Sequence, residues 1–196
     1  MIKVAVFEDN PLLSDSLSAL LNQTEGIQCV GCWENCVQLT KIIQHYQPDM
    51  VLMDIDMPIV DGLEGLKIMT KDFPNIPVVM LTVFEDDASI FNSICLGAKG
   101  YLLKKTVPSK IIEAIHDTID GGSPMSASIA RKVIQAFSIH NVPANQDYAL
   151  TVREKEMLSF LVAGNSYKMI ASAMDISINT VRQYIRKVYD KLQVHS

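Results

Sequence analysis

Met50-Val51-Leu52-Met53 runs unbroken into Asp54, and Pro58 ends regular pairing four residues later. An apolar run this short, without polar alternation, reads as a strand covered on both faces, as inside a parallel sheet. A chain that contains such a strand must also supply helices for both faces of its sheet. Asp54 then stands at the strand's carboxyl end, where open α/β sheets place their chemistry. The competing reading makes Asp54 a helix cap, since Asp is common there and a helical pattern follows from Asp61. What separates the two is whether other strand ends supply partners for a carboxylate.

Ile2 to Phe7 reads as a first strand, ending in Glu8-Asp9. Leu12, Leu13, Leu17, Leu20 and Leu21 follow at helical spacing. Ile27 to Trp33 makes a second strand, and Val37 to Tyr46 an amphipathic helix closed by Pro48. After the Met50 run come a helix from Asp61 to near Pro74, a strand Val78 to Leu81 ending at Thr82, and a helix from Asp86 to Gly97. Tyr101 to Leu103 is a fifth strand, ending in Lys104-Lys105. A helix carrying Ile111, Ile115 and Ile119 stops at Gly121-Gly122. Five strands alternating with five helices predict a flavodoxin-like (βα)5 doubly wound parallel sheet with right-handed crossovers.

Residues 1–122 form that first domain. Ser126 to Phe137 reads as a further helix, and the polar, aperiodic stretch around Pro143 and Asn145-Gln146-Asp147 as a linker, so residues 123–149 connect. Residues 150–196 make a small all-α unit. Charge divides at the same place. Residues 1–120 hold 8 Lys, no Arg and 17 acidic residues, a balance of −9; residues 121–196 hold 9 basic and 5 acidic residues, a balance of +4. An acidic half does not seek nucleic acid, whereas a basic half is suited to it.

No apolar run approaches the roughly 18 residues needed to span a bilayer. No basic flank, apolar stretch and small-residue cleavage site open the chain, so a cytoplasmic protein without membrane association is expected. Cys29, Cys32 and Cys36 lie close in sequence but lack paired CxxC knuckles. Cys29 and Cys32 should also face opposite sides of a strand. Reduced structural thiols, with Cys95, are therefore expected rather than zinc.

Glu8, Asp9, Asp54, Thr82 and Lys104 all fall at strand ends on one edge of the sheet. Three crowded carboxylates repel one another unless a cation holds them. With no thiolate or imidazole among them, a hard, oxygen-seeking ion such as Mg²⁺ fits best. A hydroxyl and an ammonium alongside suit the oxygens of a phosphoryl group, with Asp54 as the nucleophile that forms an acyl phosphate.

Glu8-Asp9, Asp54 with Pro58 and Gly62, Thr82, and Gly100-Tyr101 with Lys104 resemble the receiver domain of bacterial two-component response regulators. The resemblance implies that Asp54 accepts phosphate from a sensor histidine kinase. It implies Mg²⁺ held by Asp9, Asp54 and the main-chain carbonyl of Asp56, with Glu8 acting through water. It also implies that Thr82 and Tyr101 form a switch pair. Two positions depart from the commoner pattern: Lys105 stands where many receivers have proline, and Glu8 where Asp is usual.

In the C-terminal unit Thr151 and Glu154 form a capping box for a helix carrying Met157, Leu158, Leu161 and Val162 and ending at Gly164. Ser166 caps a short second helix through Met174. Asn179 to Leu192 is a third helix, with Val181, Ile185, Val188 and Leu192 as its apolar stripe. Arg182, Gln183 and Arg186, with Lys187 beside them, occupy the opposite face. Arg reads guanine edges and Gln reads adenine in a major groove, so the unit reads as a helix-turn-helix.

Leu150-Thr-Val-Arg-Glu-Lys-Glu, Ile170-Ala171, Thr180-Val181-Arg182 and Lys191-Leu192 resemble the LuxR/NarL-type DNA-binding domain. By that resemblance Arg182, Gln183 and Arg186 contact bases, while Lys168, Thr180, Tyr184, Lys187 and Lys191 face or flank phosphates. Tyr167 and Tyr184 depart from the commoner Asn and His. The family unit continues into a fourth, dimer-supporting helix, which is expected to be missing from this chain.

The expected function is that of a NarL/FixJ-type response regulator. It is a transcription factor that binds promoter DNA, pairs into a homodimer on activation and is controlled by phosphorylation of Asp54. It is not expected to be an enzyme beyond self-phosphorylation from small donors and self-dephosphorylation. Two alternatives are a regulator that ignores phosphate and an aspartyl-phosphate phosphatase, suggested by the Asp54-Ile55-Asp56 pattern.

Overall fold

The computed structural model describes residues 1–126, 128–133, 150–163 and 165–193. Five strands, β1 (Ile2–Phe7), β2 (Ile27–Trp33), β3 (Met50–Met53), β4 (Val78–Thr82) and β5 (Gly100–Leu103), form one sheet. All pair in parallel, in the order β2-β1-β3-β4-β5. Five helices alternate with them: α1 (Pro11–Gln23), α2 (Leu39–Tyr46), α3 (Gly62–Asp72), α4 (Asp87–Cys95) and α5 (Pro108–Ile119). The flavodoxin-like expectation is therefore met.

Side-chain alternation in β3 divides the core into two layers. Met50 and Leu52 pack with Val4, Val6, Leu17 and Ile115, toward α1 and α5. Val51 and Met53 pack with Phe7, Leu66, Met69 and Ile94, toward α2, α3 and α4. All four β3 residues are buried, and each such side chain contributes about 1.5–3 kcal/mol on removal from water.

Helix α2 starts at Leu39, two residues later than its apolar pattern suggested. The Asn35 side chain accepts from the Val37 amide at 3.0 Å, and the Cys36 amide donates to the Val60 carbonyl at 3.3 Å. Both bonds hold the chain out of helical geometry, and Val37 stays exposed. The helix expected from Ser126 is seen over residues 128–133. The remainder of that helix and the linker, residues 134–149, lie outside the described residues.

A second correction concerns the cysteines. Val4 pairs with Cys29 but Ala5 with Gly31, so Val30 is an extra residue bulged out of β2. The bulge restores Cys29 and Cys32 to one face, against the same core layer as Val4 and Val6, and their sulfurs lie 3.7 Å apart. Cys36 packs on the opposite face of the sheet, so the three thiols do not converge.

The C-terminal unit consists of α6 (Val152–Val162), α7 (Tyr167–Met174) and α8 (Ile178–Gln193). Met157, Leu161, Ile170, Met174, Val181, Ile185 and Val188 are buried between them. The Thr151–Glu154 capping box is present, and Ser166 caps α7. Ser177 accepts from the Thr180 amide at 3.0 Å, which starts α8 one residue before Asn179. Gly164 and residues 194–196 are outside the described residues, as is any question of a further helix. The unit is not isolated: its core is continuous with the α2–α4 layer of the first domain, and α8 lies against α4.

Candidate functional site

At the carboxyl edge of the sheet, β1 delivers Glu8, β3 delivers Asp54, β4 ends in Thr82, and Lys104 follows β5 directly. Parallel pairing aligns these ends: Phe7 pairs with Met53 and Thr82 with Leu103. The Asp54 amide donates to the Phe7 carbonyl and the Lys104 amide to the Thr82 carbonyl, both at 2.9 Å, extending the ladder to the residues that bear the clustered side chains. Helix α1 is capped by Asn10, whose amide donates to Glu8 Oε1 at 3.0 Å and fixes that carboxylate's direction.

Lys104 Nζ donates to Asp54 Oδ2 at 2.7 Å and to Glu8 Oε1 at 2.8 Å. Asp54 Oδ1 accepts from the Ile55 amide at 2.7 Å. Asp54 is therefore no helix cap; Asp61 caps α3, accepting from the Glu64 amide at 2.8 Å. Glu8 and Asp54 are buried while Asp9 is exposed. Burial raises the Glu8 pKa above its ordinary 4.5, against the pull of Lys104 and the Asn10 amide and with help from the Asp54 charge. Burial works to lower the Lys104 pKa, but hydrogen bonds to Asp54 and Glu8 outweigh it and hold the ammonium above its ordinary 10.5.

Ligand oxygens of Glu8, Asp9 and Asp54 lie within 4.8 Å of one another, the one cluster of this kind among the described residues. Glu8 Oε2 is buried 2.8 Å from Lys104 Nζ yet accepts no hydrogen bond. An all-carboxylate donor set with an unsatisfied buried oxygen fits a hard cation. Asp56 is exposed just beyond Asp54. A Cβ on Gly62 would lie 1.8 Å from the Asp54 carbonyl oxygen, so glycine is required where α3 passes the end of β3. Opposite, Ile59 takes φ 71°, and the Val60 amide donates to the Pro58 carbonyl at 2.9 Å.

Thr82 is fully buried, and its hydroxyl accepts weakly from the Phe84 amide at 3.4 Å. Tyr101 is fully buried too, its hydroxyl donating to the Phe84 carbonyl at 3.0 Å. Burial, with the charges of Asp86 and Asp54, pushes its phenol pKa up. Both side chains thus meet at Phe84. The peptide joining Lys104 to Lys105 is trans, since no cis bond occurs among the described residues. Lys105 pairs with Glu85 outside the cluster.

On α8 the basic face is divided. Gln183, Arg186 and Lys187 are exposed, and so is Lys168 on α7. Arg182 is drawn away from solvent: its guanidinium pairs with Asp117 at 3.0 Å and Asp120 at 3.1 Å, at the end of α5. Tyr167 strengthens the same junction by donating to the Ser123 carbonyl at 3.0 Å. Tyr184 packs partly buried against the helical core, and Thr180 shares a hydrogen bond with Ser177 at 2.9 Å. Lys191, assigned to phosphates by resemblance, donates to the buried Glu154 at 2.6 Å. It ties α8 to the start of α6 because Glu154, buried for its cap, needs a counter-charge. Sequence patterns contained no signal for the Asp117–Arg182 pair, which depends on how the domains meet.

A carboxylate cluster at the edge of a five-stranded 2-1-3-4-5 sheet, joined to a helix-turn-helix whose last helix, α8, touches that sheet's domain, defines a two-part regulatory protein. Residues 4–116 match the response regulator receiver domain, and residues 148–196 match the luxR family of bacterial regulatory proteins. The chain is 31% identical to the transcriptional regulatory protein LnrK of Bacillus subtilis, over 99% of this chain and 92% of that one. It is 33% identical to the response regulator protein VraR of Staphylococcus saprophyticus, over 98% and 91%. Among solved structures it resembles the response regulator ChrA of a heme-sensing two-component system, with 28% identity and a TM-score of 0.59 over 97% of this chain and 89% of that one. The chain belongs to the response regulators with a LuxR-type DNA-binding domain, and it is a transcription regulator of that class. No helix among the described residues is long and apolar enough to cross a membrane.

Proposed function

We propose that Asp54 is the phosphoacceptor, taking a phosphoryl group from the phosphohistidine of a sensor kinase. The observation that carries this reading is the orientation of its carboxylate. Oδ1 is fixed by the Ile55 amide and Oδ2 by Lys104, beside Glu8 and Asp9. A fixed carboxylate with a neighbouring cation is poised for attack on phosphorus and for holding the charge that arrives. Glu8, Asp9, Asp54 and the Asp56 carbonyl would hold Mg²⁺, which when bound neutralises the carboxylates and the incoming phosphoryl oxygens. Lys104 and the Thr82 hydroxyl hold those oxygens afterwards. Thr82 and Tyr101 report the change, because both meet the backbone at Phe84.

The resting arrangement withholds Arg182 from DNA by pairing it with Asp117 and Asp120. Phosphorylation shifts the population toward a form in which α8 is released and two copies pair on promoter DNA. There Arg182, Gln183 and Arg186 read bases, while Lys168, Thr180, Tyr184 and Lys187 meet phosphates. The domains act as units 1–122 and 150–196 about the connecting residues, in the cytoplasm. Chemistry at Asp54 is limited to accepting and losing phosphate, so the protein is a phosphoacceptor rather than a turnover enzyme.

Incubation with acetyl phosphate and Mg²⁺ tests the site. The expected product is one acyl phosphate per chain, absent in Asp54→Asn, with DNA affinity raised in the phosphorylated protein. Turnover of the donor without accumulation of the acyl phosphate would favour a phosphatase. Equal DNA affinity with and without donor would sink the phosphoswitch. Selection of bound sequences should then show Arg182→Ala relaxing base preference and Lys187→Ala weakening all sequences alike.

A further inference from the structure

The thiols of Cys29 and Cys32 have no part in the site above, and their placement is unusual. Residues three apart on a regular strand point to opposite faces. The bulge at Val30 cancels that alternation, because Cys29 and Cys32 sit opposite Val4 and Val6, two residues apart on β1. The two sulfurs therefore share one face at 3.7 Å, and both side chains are only partly buried. Each is held in place: the Cys29 amide donates to the Asn22 side chain at 3.0 Å, and the Cys32 thiol faces the Ser14 carbonyl at 3.8 Å. β2 is an edge strand, paired on one side with β1, so it can shorten without breaking a second ladder.

We propose that Cys29 and Cys32 form a redox dithiol, a modification site that closes to an intrastrand disulfide by exchange with a low-molecular-weight disulfide such as oxidised glutathione. The Cys29 thiolate attacks the glutathione disulfide, forming a mixed disulfide and expelling one glutathione thiolate, which takes up a proton. Cys32 loses its proton to solvent and attacks the Cys29 sulfur, expelling the second glutathione. Two electrons leave the protein thiols and reduce one glutathione disulfide to two thiols. The sulfurs must approach from 3.7 Å to about 2.05 Å, which draws the Val30 bulge tighter.

The two thiols are not equivalent. The hydrogen bond from Cys32, working against burial and aided by Ser18, holds the Cys29 thiol below the ordinary thiol range. The same pairing and burial push Cys32 up. Burial also raises Cys95, and burial with the Asp61 charge pushes Cys36 up to about 12. Cys29 is thus the attacking sulfur and Cys32 the resolving one. Closure also touches the acidic cluster: Trp33 follows Cys32 directly, and its carbonyl accepts from the Glu8 amide at 2.8 Å.

The test uses the full chain, treated with oxidised glutathione, digested without reductant and mapped by mass. Wild type should yield a Cys29–Cys32 cross-link that carries no glutathione and is reversed by dithiothreitol. Cys32→Ser should retain one glutathione on Cys29, and Cys29→Ser should leave Cys32 unmodified. Serine matches cysteine closely in size and both positions are only partly buried, so these variants are expected to fold, which circular dichroism checks. In limited alkylation with iodoacetamide at neutral pH, Cys29 should react at least about tenfold faster than Cys95. Glutathione retained on wild-type Cys29, cross-links between chains, or four cysteines alkylated at similar rates would each overturn the proposal.

Discussion

Among the described residues, Lys104 and Arg182 are each held by two carboxylates, and the two sites differ in what supports them. Lys104 joins Glu8 and Asp54, whose side chains are 2% and 3% exposed, within a single sheet. Arg182 joins Asp117 and Asp120 across two domains, and the Asp120 side chain is 54% exposed. Backbone ladders fix the first set: strand ends are held whether or not the ion pair forms. The second exists only while α8 rests against the first domain. Each set leaves one buried atom without a hydrogen-bond partner, Glu8 Oε2 in the first and Arg182 Nε in the second, at a cost of about 1–3 kcal/mol each. Burial raises one carboxyl pKa in each set, Glu8 and Asp117, despite the adjacent cation, so neither ion pair fully offsets its own desolvation. A permanent site needs geometry that survives its chemistry; a releasable contact needs a free energy close to balance. Backbone support and exposure, rather than the ion pairing itself, separate the two cation sites.

The largest expected effect is on the permanent site. Lys104→Ala leaves Glu8 and Asp54 buried together without their counter-charge, and should cost about 3 kcal/mol in urea unfolding. Added Mg²⁺ should recover part of that loss by taking the ammonium's place. A neutral Lys104→Ala in metal-free buffer would erase the contrast between the two sites. The interdomain pair should behave in the opposite way. Asp117→Asn combined with Asp120→Asn should change folding stability little. It should raise DNA affinity without phosphodonor about fivefold, the equivalent of about 1 kcal/mol for a partly exposed pair. Unchanged affinity in a gel shift would mean that Arg182 is not what the docked form withholds.

How readily each site could be read in advance follows from the same difference. Asp54 and Lys104 announce themselves because short apolar runs end at them, and parallel pairing brings such ends together in any 2-1-3-4-5 sheet. Gly62 is legible as a glycine but not as the residue against the Asp54 carbonyl, which needs the path of α3. The Cys29–Cys32 pair was hidden because strand alternation assumes regular register, and the bulge at Val30 is decided by pairing with β1. Apolar spacing makes helix α2 two residues too long because Asn35 and Val60 bind backbone groups that spacing does not encode. The partners of Arg182 and Lys191 were illegible for a related reason. A basic residue on a helix face reads as solvated until the element packed against it is known.

Lys191 and Glu154 supply a third carboxylate–cation contact, between the extremes, and the smallest predicted effect. Glu154 is buried for its capping bond to the Thr151 amide at 2.7 Å, and Lys191 closes over it. Burial raises the Glu154 pKa, but the bonds from Lys191 and from Thr151 outweigh it and hold the carboxyl below its ordinary 4.5. A carboxyl depressed by folding contributes stability that is present above its unfolded value and lost as pH falls through the folded one. The helix-turn-helix should therefore lose an increment of stability as pH drops below about 4.5. Glu154→Gln keeps a group that can accept from the Thr151 amide and removes the charge. It should cost about 0.5 kcal/mol at neutral pH and flatten that acid limb in thermal melts followed by circular dichroism. Ion pairs in this chain would then rank by how much backbone holds them, with Lys191 between Lys104 and Arg182. An acid limb as steep in Glu154→Gln as in wild type would place the titrating group elsewhere and remove Lys191 from that ranking.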